Sequence, residues 1–230
     1  MLGTIVNVCA ILVGASLGLL FKKGISEKVS STVMQGIGLA VLLIGLSMAL
    51  QSKQILAVII SLALGGLTGQ LLNIEGGLDR LGKWLEDKVG GETGQVAKAF
   101  VTSSLIYCVG AMSILGAIED GLNNNHQVLF AKAALDGISS VVFTATLGIG
   151  VVFSVFPVLV YQGSITLLAG QVKGLLSPEA VVEMTATGGL LIVGIALNML
   201  NITHIKVGNL LPAIFFAVPI ALLLSKIIPA

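Results

Sequence analysis

Apolar runs broken by short polar stretches organise this chain from end to end. The runs 3–21, 29–50, 54–72, 97–118, 128–148, 152–172, 179–200 and 207–228 predict eight helices, each close to the ~20 residues that cross the hydrocarbon core of a bilayer. Residues 128–172 are too long for one crossing, and Gly148-Ile149-Gly150 followed by Pro157 divides them into two spans joined by a tight turn. The polar stretch after the third run has a period of its own. Ile74, Leu78, Leu81, Leu85 and Val89 recur at helical spacing with charges between them and Trp84 near the apolar face. This predicts an amphipathic helix at about 74–89 lying along the membrane surface. The first run is read as a retained span, because its basic pair Lys22-Lys23 follows the apolar stretch, whereas a secretory signal has its basic residues in front.

Composition sharpens the class. The chain has 230 residues, of which 56% are apolar and 10% charged, with a mean hydropathy of +1.06; soluble domains carry about 25% charged residues. We therefore expect an all-α polytopic membrane protein whose residues 1–230 form a single transmembrane domain, with the bilayer as its main partner. A net charge of +1 excludes the basic footprint of a nucleic-acid binder. Cys9 and Cys108 lie in apolar runs and read as packing residues rather than a disulfide framework.

Orientation follows from Lys and Arg. Lys22, Lys23, Lys28, Arg80, Lys83, Lys88, Lys98 and Lys206 fall on one side, against Lys53, Lys173 and Lys226 on the other. The richer side is cytoplasmic, so both termini lie outside and the 74–89 segment inside.

A displacement of 151 residues aligns Ser26–Leu50 with Ser177–Asn201, with identities at Ser26/Ser177, Gly38/Gly189, Leu39/Leu190, Ile44/Ile195, Leu46/Leu197 and Met48/Met199. If spans 1–3 correspond to spans 6–8, the copies are five crossings apart, and an odd number inverts the second. Inverted repeats are common in secondary transporters, whose sites lie near the midplane at interrupted helices. Gln35-Gly36-Ile37-Gly38 and Ala186-Thr187-Gly188-Gly189 occupy matching places; they are local unwindings or, alternatively, close-packing faces.

Several catalytic patterns fail on context. Gly14-Ala15-Ser16-Leu17-Gly18 has the spacing of a nucleophile elbow but lies inside an apolar helix; like Gly65 and Gly69 it reads as a small-residue packing face. In Gly77–Lys83 a P-loop-like spacing is followed by Trp84, where magnesium binding needs Ser or Thr. His126 and His204 lack metal-site spacing and read as solvated loop residues. No metal, no cofactor and no enzyme activity are expected.

Charge within or bordering the spans remains. Lys132 and Asp136 stand at i and i+4 in the fifth span, hence on one face, and each costs about 2.5–3.5 kcal/mol at a span centre by insertion scales. Glu119 and Asp120 end the fourth span on the same side. The four make an acidic cluster suited to a proton or cation or, alternatively, a structural Lys132–Asp136 bridge. Among uncharged polar residues inside spans, including Asn7, Gln35, Gln70, Ser103, Ser104 and Tyr107, we single out Tyr161, Gln162 and Asn198 as candidate solute ligands, with helix–helix hydrogen bonding as the competing role.

The ordered trio Cys108–Leu122, with its Gly110, Gly116, Asp120 and Gly121, then Lys132-Ala133-Ala134-Leu135-Asp136-Gly137, then Tyr161-Gln162-Gly163 resembles the bacterial membrane family of unknown function five-five-four, the YqgA/YdfK type, over nearly the whole chain. The resemblance implies a multi-span protein of the bacterial inner membrane, often described only as a possible transporter, and supplies no catalytic assignment.

These readings lead us to expect a small ion-coupled secondary transporter of an unidentified solute. An oligomeric channel and a non-transporting assembly protein are the alternatives. The small-residue faces Gly14/Gly18 and Gly65/Gly69 further suggest a homodimer.

Overall fold

The computed structural model describes residues 1–21, 27–89, 95–171 and 176–227. The loop residues Lys22, Lys23 and Lys173, and Ser26 of the repeat, lie outside these. Every regular element among the described residues is helical: α1 (Leu2–Phe21), α2 (Glu27–Ala49), α3 (Ile55–Leu71), α4 (Ile74–Val89), α5 (Gln95–Cys108), α6 (Ala111–Asn123), α7 (Gln127–Leu147), a 3-10 turn (Ile149–Ser154), α8 (Val155–Leu167), α9 (Pro178–Met199), α10 (Val207–Leu210) and α11 (Pro212–Ile227). Five stretches are long and apolar enough to cross a membrane: α1, α7, Ile149–Leu167, α9 and Val207–Ser225. A sixth arises if α5 and α6, bent by 57°, count as one broken span. Gln35–Ala49 and Ile55–Leu71 are shorter apolar helices, and the amphipathic segment is helical over Ile74–Val89.

Two compact units form, one from Met1–Val33 and Leu78–Lys173, the other from Met34–Gly77 and Gly174–Ala230. In the first, α1 and α7 run parallel: Gly3 meets Leu129, Gly14 meets Gly137 and Gly18 meets Val141. A Cβ on Gly18 would stand 2.5 Å from the Val141 carbonyl oxygen, so only hydrogen fits there. Two backbone breaks interrupt this unit. Gly110, at φ 148° and ψ 150°, separates α5 from α6, and Gly148, at φ 88°, ends α7; a side chain disfavours both conformations. The Gly148 break falls where the apolar run 128–172 was expected to divide. The Gly110 break corrects the single uninterrupted span read over 97–118.

In the second unit α9 is the most enclosed helix. Its start is well specified: the Ser177 hydroxyl accepts from the Ala180 amide at 3.2 Å, and Pro178 and Glu179 follow, a sequence suited to the free N–H groups and dipole of a helix start. Gly45 of α2 and Gly189 of α9 bring those helices into backbone contact, and Gly65 and Gly69 of α3 do the same against Ala213 and Asn209. Gln35–Gly38 and Ala186–Gly189 therefore lie inside unbroken helices, where Gly38 and Gly189 serve close packing; the unwinding alternative does not hold. Because Gly14, Gly18, Gly65 and Gly69 are all engaged within the chain, the reason for expecting a dimer through them falls away.

The outer faces read as surfaces for lipid. Val13, Leu20, Leu43, Leu71, Leu135 and Phe215 are all exposed, an amount of bare apolar surface unlike that of a soluble monomer. Hydroxyls on these faces turn back onto their own helices, Ser16 to the Leu12 carbonyl, Thr68 to Leu64 and Thr146 to Val142, each at 2.8 Å. Hydrocarbon offers them no other acceptor.

Candidate functional site

The first unit buries a polar network around the fifth predicted span. Helical periodicity puts Lys132 and Asp136 on one face of α7, where both are 6% exposed and their Nζ–Oδ2 distance is 2.5 Å. A pair so placed is sustainable only if its remaining hydrogen-bonding capacity is met. From α1, the fully buried Asn7 donates through Nδ2 to Asp136 Oδ2 at 3.0 Å and to Gln162 Oε1 of α8 at 3.2 Å. Gln162 donates through Nε2 to Ser113 Oγ of α6 at 3.0 Å, and Ser113 donates in turn to the Tyr107 carbonyl at 2.8 Å. That carbonyl belongs to the last turn of α5, where the Gly110 break removes its helical partner. The ring of contacts closes through Ser140, which donates to the Asp136 carbonyl at 2.7 Å and so accepts from Tyr107 Oη at 2.8 Å. Four separate helices and an interrupted backbone thus converge on one carboxylate–ammonium pair.

Asp120 forms a different centre. Its carboxylate, on α6 and almost fully buried, faces the Met1 α-amino group at 2.8 Å and His126 Nδ1, so His126 is an ion-pair partner whenever it is protonated, not simply a solvated loop residue. Glu119 accepts from Asn123 Nδ2 of its own helix at 2.8 Å. The structure thus pairs Lys132 with Asp136, and Asp120 with Met1 and His126, while Glu119 faces its own helix; adjacent residues on a helix point about 100° apart.

Of the uncharged candidates, Gln162 enters the network, and the Tyr161 hydroxyl is enclosed with no hydrogen-bond partner among the described residues. Asn198 lies in the second unit, where it accepts from the Ile205 amide at 2.8 Å and donates to the Ile205 carbonyl at 2.7 Å. It clasps the connection between α9 and α10.

Sequence reasoning passed over one carboxylate entirely. Glu183, inside the seventh apolar run and 1% exposed, accepts from Ser52 Oγ at 2.6 Å and from the Lys53 and Gln54 amides at 2.7 and 3.0 Å. It caps α3 from another helix, beside a cavity of about 570 Å³ that Lys53, Glu179, Leu56 and Leu224 also line. An acid four residues into an apolar run was the available signal.

The profile of the family described as protein of unknown function (DUF554) matches residues 2–222. The chain belongs to the DUF554 family. Within DUF554, the uncharacterized membrane protein YdfK of Bacillus subtilis (strain 168) is 34% identical over 218 residues, covering 93% of each chain. The uncharacterized protein YqgA of Escherichia coli (strain K12) is 27% identical over 227 residues, covering 96% of each. No solved structure matches the chain. A membrane-protein relative and five span-length helices together put this DUF554 member in a membrane.

Proposed function

We propose that the protein is a small ion-coupled secondary transporter of the bacterial inner membrane, with the Lys132–Asp136 pair as its coupling site and Asn7 and Gln162 as polar ligands beside it. The observation that carries this reading is the buried ion pair linked through Asn7, Gln162 and Ser113 to the interrupted α5–α6 helix. Ionisable residues inside membrane spans mark ion or proton pathways, and broken helices mark transporter sites. The reading assigns no chemical reaction to the protein.

An eight-span inverted repeat is part of the proposal. The described helix ends come within one residue of the displacement of 151 residues: α2 ends at Ala49 and α9 at Met199. Gly38 of α2 also lies against Met199 of α9 and Leu200 that caps it, while Gly189 of α9 lies against Met48 and Ala49 of α2. With the displacement applied, these are one contact with the helices exchanged, the self-complementary pattern of a two-fold axis. It supports duplication with inversion, with the shorter apolar helices α2 and α3 completing eight crossings.

The test uses reconstituted protein and a solute chosen by thermal-shift screening, since a ligand of the folded state raises apparent stability. Asp136→Asn should destabilise the fold and abolish uptake. Adding Lys132→Met should restore stability without restoring uptake. Uptake in the double variant equal to that of the unaltered protein would reduce the pair to architecture, and non-saturable flux would favour an oligomeric channel.

A further inference from the structure

Several buried hydroxyls in this protein close on the carbonyl one turn earlier: Ser61 on Ala57, Ser103 on Ala99, Ser140 on Asp136 and Thr187 on Glu183. Ser104, Thr144 and Thr185 stand singly as exceptions on other helices, whereas on α1 and α8 the exceptions recur one turn from the Asn7–Gln162 hydrogen bond. Thr4 and Asn7 of α1 are 0% exposed and Thr166 of α8 is 5% exposed, yet Thr4 Oγ1, Asn7 Oδ1 and Thr166 Oγ1 have no hydrogen-bond partner among the described residues. A buried polar atom left unbonded in a dry site forfeits its hydration with nothing in return. Three on one seam call for water, which enters protein interiors where several polar groups border one space.

The three atoms are also ordered. The α1–α8 register is set by the Asn7–Gln162 hydrogen bond. At the α6 end, a Cβ on Gly121 would touch the Thr166 carbonyl at 2.2 Å, and the neighbouring Asp120 carboxylate holds the Met1 amino group at 2.8 Å. Thr166 is one turn from Gln162, and Thr4 one turn from Asn7. The polar groups therefore step from Asp120 and His126, through Thr166 and Thr4, to Asn7 and then Asp136.

We infer that water reaches the Lys132–Asp136 pair along the α1–α8 seam, entering at the Asp120–His126 end. The seam rests on the transporter reading for its purpose, since a coupling ion or proton must reach Asp136 from one face of the membrane. Its existence is measurable without knowing the solute.

The experiment is cysteine accessibility in cells, in a chain carrying Cys9→Ser and Cys108→Ser, with a charged, membrane-impermeant methanethiosulfonate. Labelling is normalised to that after denaturation in detergent. Thr4→Cys and Thr166→Cys probe the seam, and Ser113→Cys probes the site itself. Ile5→Cys and Val160→Cys, at residues 50% and 67% exposed on apolar faces, are lipid-facing controls. A seam holding water predicts that Thr4→Cys and Thr166→Cys react at least about tenfold faster than the controls, because the thiolate forms in water and not in hydrocarbon. Reaction of Ser113→Cys without reaction of either seam variant would overturn the route and leave the transporter reading standing. If none of the three reacts in intact cells or after the membrane is permeabilised, the site is sealed and both readings fall.

Discussion

A Cβ on Gly14 of α1 would stand 2.1 Å from the carbonyl oxygen of Gly137 in α7, so these two residues let the helix backbones touch. Forcing a methyl group into such a contact costs about 1–3 kcal/mol, or more where the obstacle is backbone. Gly14→Ala should lower the melting temperature in mild detergent. Gly36→Ala, with nothing within 4 Å of its Cβ position, should instead gain up to about 1 kcal/mol from helix propensity. Equal melting temperatures for the two variants would contradict the packing described.

Gly110 is the second test of backbone. Its φ of 148° is strained for any residue with a side chain, at about 1–3 kcal/mol. Gly110→Ala should destabilise the protein by that amount and, by drawing α5 and α6 toward a continuous helix, disturb the Tyr107 carbonyl that Ser113 bonds. Thermal unfolding of Gly110→Ala beside Gly36→Ala separates strain from propensity; an unchanged melting temperature for Gly110→Ala contradicts the strain.

Glu183 offers a contrast within α9. Replacing it with Leu removes the acceptors of the Ser52 hydroxyl and of the Lys53 and Gln54 amides, at a cost of about 1–3 kcal/mol for each donor left unpaired. The exposed Glu179, four residues earlier, should tolerate Glu179→Gln within about 0.5 kcal/mol. Chemical or thermal unfolding of both variants decides whether the α3 cap matters to stability.

Sidedness follows from the charge bias. A cysteine at the exposed Asp87 of α4, in a chain lacking Cys9 and Cys108, should resist an impermeant thiol reagent in intact cells and react once the membrane is permeabilised. Labelling in intact cells would reverse the assigned orientation.

Apolar run length carried much of the architecture into view, because a helix that must satisfy its own backbone in lipid announces itself by continuous hydrophobicity. The turn at Gly148 was legible since two glycines and a proline sit together. Gly110 was not, being a lone glycine in a chain that has 29, many of which among the described residues serve packing. Lys132 and Asp136 could be paired by spacing alone, whereas Asn7 stands on another helix, at sequence separations of 129 from Asp136 and 155 from its other partner Gln162. Only the fold brings those amides together. Glu183 escaped because its partners are mainly backbone amides, which no side-chain pattern records.

The α1–α7 pairing also sets a timetable for biogenesis. Asn7 leaves the ribosome 129 residues before Asp136, an interval of roughly 6–25 s at bacterial or eukaryotic synthesis rates. Throughout it the first helix holds a polar amide and a bare glycine face with no native partner. Insertion therefore proceeds with α1 waiting, in the translocation channel or in lipid, for a helix made more than half a chain later. Slowed elongation between residues 21 and 147 should raise the yield of misassembled or degraded protein more than slowing anywhere after α7.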